Sequence, residues 1–142
     1  MRYFDTNCLV YLNDVESIYH KSVLELFKKT IDNNQLALNE IILVEFFQVM
    51  TNPKKVIKPW STEFTIKYMK QLIEIANQVD FIDKELFFYA LDIQKMQGIT
   101  KYEIYDYLIV ELMRTNGIDE IVTVNYMDFK KYNDINVIVP KS

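Results

Sequence analysis

Apolar positions recur along this chain in two alternating patterns. Short apolar runs, "RYFD", "QLALN", "VDFID", "EIVTVN" and "NVIVP", read as buried strands, the last closed by Pro140. Between them lie longer stretches with helical spacing. In "IYHKSVLELFKKTIDNN", Val23, Leu26, Phe27 and Ile31 share one face. A short helix from Asn7 to about Asn13 follows the first strand. Asn39 precedes "EIILVEFFQVMT" and Ser61 precedes "TEFTIKYMKQLIEIANQ", both as N-caps, with Glu63 in the first turn of the second. Two further helices run from about Lys84 to Gly98 and from about Ile104 to Gly117. These are the only two glycines, and each stands where a helix takes a left-handed residue past its end. The only weak boundary is "TNPKKVIKPWS", which carries two of the three prolines.

Strands spaced by helices predict an α/β layer fold with a mainly parallel sheet and helices on both faces, in one domain over residues 1–142. Ligands of such sheets bind beyond the carboxyl ends of the strands, at the topological switch point.

Composition sharpens this picture. Half of the residues are apolar and a quarter charged, which suits a packed core and excludes disorder. No apolar run approaches the ~18 residues of a membrane helix. The start "MRYFDTN" lacks the apolar stretch of a signal peptide. A lone cysteine, Cys8, has no internal disulfide partner and points to a reducing, cytoplasmic setting. Cys8 and the single histidine, His20, show no thiol–imidazole arrangement; His20 reads as a solvated helix-start residue. The net charge of −4 argues against nonspecific nucleic-acid binding through the general field. Local basic clusters remain: Lys54, Lys55 and Lys58 in "NPKKVIKPW", and Lys130 with Lys131.

The candidate chemistry lies in acids with apolar neighbours. Most acids, such as Asp14, Asp32 and Asp134, sit in polar surroundings and read as solvated surface. Asp5 ends the first strand in "YFDTN". Glu45 sits in "IILVEFFQVM", a helix apolar nearly all round and therefore expected to be buried. Asp106 opens an apolar helix in "EIYDYLIVELM", and Asn125 and Asp128 follow the fourth strand in "IVTVNYMDF". A lone buried carboxylate is costly. Taken singly, Asp5 could cap the helix after it, and Asp106 could sit near a helix dipole. Taken together, Asp5, Asn125 and Asp128 follow strands and share one carboxyl edge. Glu45, one to two turns into the helix after the second strand, is within reach of it. Pattern alone does not bring Asp106 to that edge. Clustered like charges in a cleft demand a cation, and oxygen ligands without His or Cys suit Mg²⁺ or Mn²⁺. The chemistry such an ion supports is phosphodiester hydrolysis.

The ordered pieces "FDTN", "NEIILVEFFQVMTNPKK", "YDYLIVELMRTNG", "IVTVNYMDFKKY" and "INVIVP" resemble the PIN-domain family over essentially the whole chain. More narrowly they resemble VapC-type ribonuclease toxins of toxin–antitoxin pairs. The resemblance implies an α/β/α sandwich around a five-stranded parallel sheet. It implies Mg²⁺- or Mn²⁺-dependent endonucleolytic cleavage of RNA, a homodimer, and a cognate antitoxin covering the active-site groove. Its acidic site maps onto Asp5, Glu45 and Asp106, with Asn125 at a fourth position that is often Asp, and Asp128 nearby. Asp5 and Asp106 are then direct or water-mediated metal ligands, and Glu45 holds or activates a metal-bound water. Asn125 and Asp128 complete the shell, although a carboxamide neutralises no charge.

Thr6, Asn7 and Thr123 either orient Asp5 or a phosphate, or serve only local turns and caps. Lys54, Lys55 and Lys58 are candidates for RNA-backbone contacts, against a plain solvated rim. Trp60 and the other aromatics read as core and interface rather than a base-stacking platform, and Met50, Met69 and Met113 as packing. Two other functions compete. A PIN-fold binding or scaffold protein with a degraded site is favoured by Asn125. A phosphoryl-accepting α/β protein is disfavoured, because Asn7 stands where an aspartyl phosphatase needs Asp, and Asp80 matches a receiver's phosphorylated Asp poorly.

Overall fold

The structure, a computed structural model, describes residues 1–98 and 103–142. Its strands are β1 (Arg2–Phe4), β2 (Leu36–Asn39), β3 (Gln78–Asp80), β4 (Glu120–Val122) and β5 (Asn136–Ile138). Its helices are α1 (Thr6–Leu12), α2 (His20–Asp32), α3 (Glu40–Met50), α4 (Thr62–Ile75), α5 (Lys84–Gln97), α6 (Glu103–Asn116) and α7 (Tyr126–Phe129). The strands make one sheet in the order β3-β2-β1-β4-β5, and every pairing is parallel. Tyr3 stands opposite Ala37 on one side and Ile121 on the other. The chain steps outward from β1 to β3, crosses back to β4 and continues to β5. Helices flank the sheet, giving the three layers expected. Tyr3, Phe4, Leu36, Leu38, Ile121 and Val122 of the strands are almost wholly buried. They pack against Leu9, Phe27, Phe46 and Met113 of the helices.

The strands are short because polar residues at their carboxyl ends turn the chain into helices. Asp5 has extended backbone, and its carboxylate accepts from the Thr6 amide, so it caps α1 and leaves β1 at Phe4. Asn39 caps α3 through the Ile42 amide at 2.9 Å. Ser61 and Asp83 cap α4 and α5 in the same way, at 3.1 and 2.8 Å. Gly98 and Gly117 have φ of 62° and 69°, the left-handed conformation expected past a helix end.

Several limits differ from the sequence reading. The third strand spans Gln78–Asp80 rather than "VDFID", because Asp83 is used as a cap and the Ile82 amide donates to Glu40. The fourth strand ends at Val122, and Thr123–Asn125 lead into α7. That helix has four residues, too few to show a repeat. α2 begins at His20 rather than Ile18. His20 is half-buried with its Nδ1 3.0 Å from the Tyr11 carbonyl, not a purely solvated residue. Asp80 is buried and accepts hydrogen bonds from the Tyr3 hydroxyl and from Gln78, the latter at 2.7 Å. Cys8 is fully buried, and burial pushes its thiol well above the usual range, which removes it as a nucleophile. Among the described residues no helix is long and apolar enough to cross a membrane.

Candidate active site

The neighbours of β1 leave in opposite directions, so the sheet switches between β1 and β4. Asp5 sits where β1 ends, and its amide donates to the Val122 carbonyl at 2.9 Å, joining the ends of the two strands. The Asp5 side chain is only 7% exposed and accepts three hydrogen bonds. The Thr6 amide reaches Oδ1 at 2.8 Å, while the Thr123 hydroxyl and the Asn7 Nδ2 reach Oδ2 at 2.6 and 3.0 Å. Thr123 in turn accepts from the Asn125 amide at 3.0 Å, and Asn7 Oδ1 accepts from the Val124 amide at 3.3 Å. These bonds tie α1 to the turn after β4. Burial pushes the Asp5 carboxyl up, and Asp128 adds to this. Thr123, Thr6 and Asn7 pull it back by hydrogen bonding to the charged form.

Glu45 is exposed, contrary to the buried helix expected. α3 buries Ile42, Leu43, Phe46 and Met50 and turns Val44, Glu45 and Gln48 outward. Partial burial and the Asp5 charge push its carboxyl up, and Lys55 pulls it down. The Thr6 hydroxyl faces Glu45 without completing a hydrogen bond and is buried with no partner.

Asp106 reaches the same edge for a simple reason. A helix that feeds a parallel strand must end at the strand's amino edge, so α6 starts at the carboxyl edge. Half-buried in the first turns of α6, Asp106 has its carboxyl pushed up to about 7. Burial is the main cause, followed by Asp128, Asp5 and Glu45, with Lys131 opposing. Glu45, Asp106, Asn125 and Asp128 line one cleft of about 950 Å³, and Asp5 lies beneath it. The structure therefore brings together all five predicted acid-site residues, with Thr6, Asn7 and Thr123 around Asp5. Of the lysines, Lys55 lines an adjoining groove with Glu45 and Gln48; Lys54 and Lys58 are exposed on the same loop but line neither cavity.

The apolar wall of the cleft, built from Ile41, Val44, Ile82, Phe87 and Leu108, was not read from the sequence. Its one signal was a helix with more apolar residues than a single core face can use.

The donor set suits a hard cation: oxygen ligands, several carboxylates that raise one another, and no His or Cys. Among the described residues no three acidic, His or Cys side chains converge closely enough to chelate an ion unaided. The arrangement fits an ion that keeps most of its waters and takes one or two carboxylates, the habit of Mg²⁺.

A family model for the PIN domain matches residues 2–135. The chain belongs to the PIN domain family. PIN domains are generally nucleases. The PIN fold seen here is similar to several solved structures. VapBC2 from Rickettsia felis, bound to a DNA fragment from its promoter, has a TM-score of 0.63 at 21% identity, over 99% of this chain and 100% of that one. VapBC-1 from nontypeable Haemophilus influenzae has a TM-score of 0.64 at 20% identity, over 96% of each chain. VapC20 of Mycobacterium tuberculosis, a toxin that cleaves the sarcin–ricin loop, has a TM-score of 0.63 at 14% identity, over 85% of this chain and 87% of that one. At these identities the likeness is one of fold. No curated protein matches the chain significantly.

Proposed function

We propose that this PIN protein, acting as one domain over residues 1–142, is a divalent-metal-dependent endoribonuclease and the toxin of a type II toxin–antitoxin pair. The observation that carries this reading is the convergence of Asp5, Glu45, Asp106 and Asp128, from four separate segments, on one cleft at the switch point of a PIN sheet. Asp5, Asp106 and Asp128 would hold Mg²⁺ or Mn²⁺, directly or through water, with Glu45 beside them. A bound ion would acidify a water and offset charge on the attacked phosphate. Glu45, exposed and next to Asp5, is placed to orient that water and accept its proton. Asn125 offers a neutral oxygen. Thr6, Asn7 and Thr123 fix Asp5 and oppose the rise that burial causes in its carboxyl, and Lys54, Lys55 and Lys58 bind backbone phosphates.

The fold shared with VapBC complexes supports a cognate antitoxin as partner, and the fold shared with VapC20 supports RNA as substrate. Exposed Phe88, Tyr89 and Leu91 on α5 support a covered surface, of a second copy or of the antitoxin. A cytoplasmic site of action accords with the lone thiol.

The test is incubation of purified protein with total RNA, with and without Mg²⁺ or Mn²⁺, beside Asp5→Asn and Asp106→Asn. Metal-dependent cutting that both variants lose is expected. A wild type that does not cut, or variants that cut equally well, sinks the reading. Asn125 favours one other reading, a PIN-fold binding protein with a degraded site; RNA binding without cutting under either ion decides for it.

A further inference from the structure

The cleft is much larger than a phosphate and a hydrated ion require, and its two ends differ chemically. At about 950 Å³ it stands at the upper end of the ~300–1,000 Å³ range of ligand pockets. Two of the acids that line it are already engaged: Glu40 accepts from the Ile82 amide, and Asp83 caps α5 through the Leu86 amide. The other acids, Glu45, Asp106 and Asp128, face a wall that is apolar and partly aromatic. On that wall Phe87, in the first turn of α5, is 44% exposed, and Tyr105, beside Asp106 in α6, is 60% exposed. Val44 adds an exposed aliphatic surface. Neither ring belongs to the buried core, so neither is explained by folding. Past Glu45 the surface continues into the groove lined by Asn52 and Lys55. There the Asn52 side chain accepts from the Lys54 amide at 2.9 Å, and its carbonyl accepts from the Lys55 amide at 2.9 Å, which fixes the turn that presents both lysines.

Aromatic surface, then acids, then cations is the complement of a polymer that alternates flat apolar faces with phosphates. We infer that Phe87 and Tyr105 form a base-binding subsite, taking an unstacked base of the RNA beside the phosphate to be cut, while phosphates on the other side of the acids run toward Lys55. The inference rests on the ribonuclease reading and adds the two side chains that take a base and the side of the acids on which they lie. A duplex cannot use this wall, because its base faces are already stacked on one another. An apolar peptide could fill the wall, but it offers nothing to the lysine turn.

The test uses a fluorescein-labelled 12-nucleotide RNA of mixed sequence, the same strand annealed to its complement, and a strand of equal length and charge built from abasic nucleotides. Binding is read by anisotropy in the Asp106→Asn background, which stops cutting, with Phe87→Ala, Tyr105→Ala and the conservative Tyr105→Phe added. The unmodified background should prefer the base-bearing single strand to both controls. Each alanine variant should weaken that strand on the order of tenfold, as loss of one stacking ring does. Abasic affinity should hardly move, and Tyr105→Phe should bind normally. Alanine variants that melt normally and bind the base-bearing strand as before, while the wild type still cuts RNA, overturn the subsite alone. They then assign the wall to a peptide or a second copy. Equal affinity for duplex and single strand also overturns it. A wild type that neither binds nor cuts any RNA overturns the ribonuclease reading with it.

Discussion

Asp5 keeps its carboxylate out of water, and Thr123 supplies the shortest of its three hydrogen bonds. Thr123→Val leaves Oδ2 with Asn7 alone and the Asn125 amide without its acceptor. The expected loss is about 1–3 kcal/mol, or several degrees of melting temperature, while Thr123→Ser stays close to wild type. Calorimetry on the three proteins checks this; equal melting of the valine variant would show that the hydroxyl is dispensable. Asp5→Asn can still accept from Thr6 but sets an NH2 group against the Asn7 Nδ2, so it should lose about 1–3 kcal/mol of stability, while cleavage falls by roughly 100-fold or more. At this scale the sequence was most informative where a residue type clashed with its neighbours. An acid after "RYF" and one acid in each of two apolar helices stood out, and they do converge. The outward turn of Glu45 was not legible, because an all-apolar helix gives no periodicity from which to read its wet face. The apolar residues flanking Glu45 serve two surfaces, the core and the cleft wall.

At the scale of elements, the caps set the geometry of the site. Asn39 ends β2 and starts α3, so it sets where Glu45 enters the cleft. Asn39→Ala should lose about 1 kcal/mol through the cap and reduce cleavage further than its stability loss explains. Comparing melting temperature with turnover separates the two effects. The turn after α3 presents Lys55 next to Glu45. Lys55→Ala should weaken RNA binding at low salt and flatten the salt dependence by about one unit of slope. An unchanged slope across a salt titration would remove Lys55 from the phosphate path. Asn39, Ser61, Gly98 and Gly117 were legible as caps because their chemistry is local. The strand ends were overextended because residues that leave the sheet to form turns, such as Phe81 and Thr123, look like strand formers. Asp106 was the hardest to place. Its position depends on where a helix must start in order to feed β4, a property of the whole crossover.

The molecule as a whole should respond to pH through its gathered acids. The Asp106 carboxyl rises from 3.8 to about 7, with Asp5 and Glu45 shifted in the same direction. Between about pH 4 and pH 7 the folded state therefore holds protons that the unfolded chain has released. Stability falls as pH rises through that window. Metal-free protein should melt at a higher temperature near pH 5 than near pH 8. Mg²⁺ should restore more at the higher pH, where the acids are charged. Melting curves in chelator and in Mg²⁺ check this; a chelated protein that melts higher near pH 8 contradicts it. The order of the strands carries a consequence for synthesis. Asp5 is made early, but Thr123, which holds it, lies 118 residues later. At ~5–20 residues per second, roughly 6–24 s of translation separate them. Through that interval β1 lacks its β4 neighbour and the acids share no cleft. On the proposed ribonuclease reading, the chain would gain its cutting site only once nearly all of it has been made.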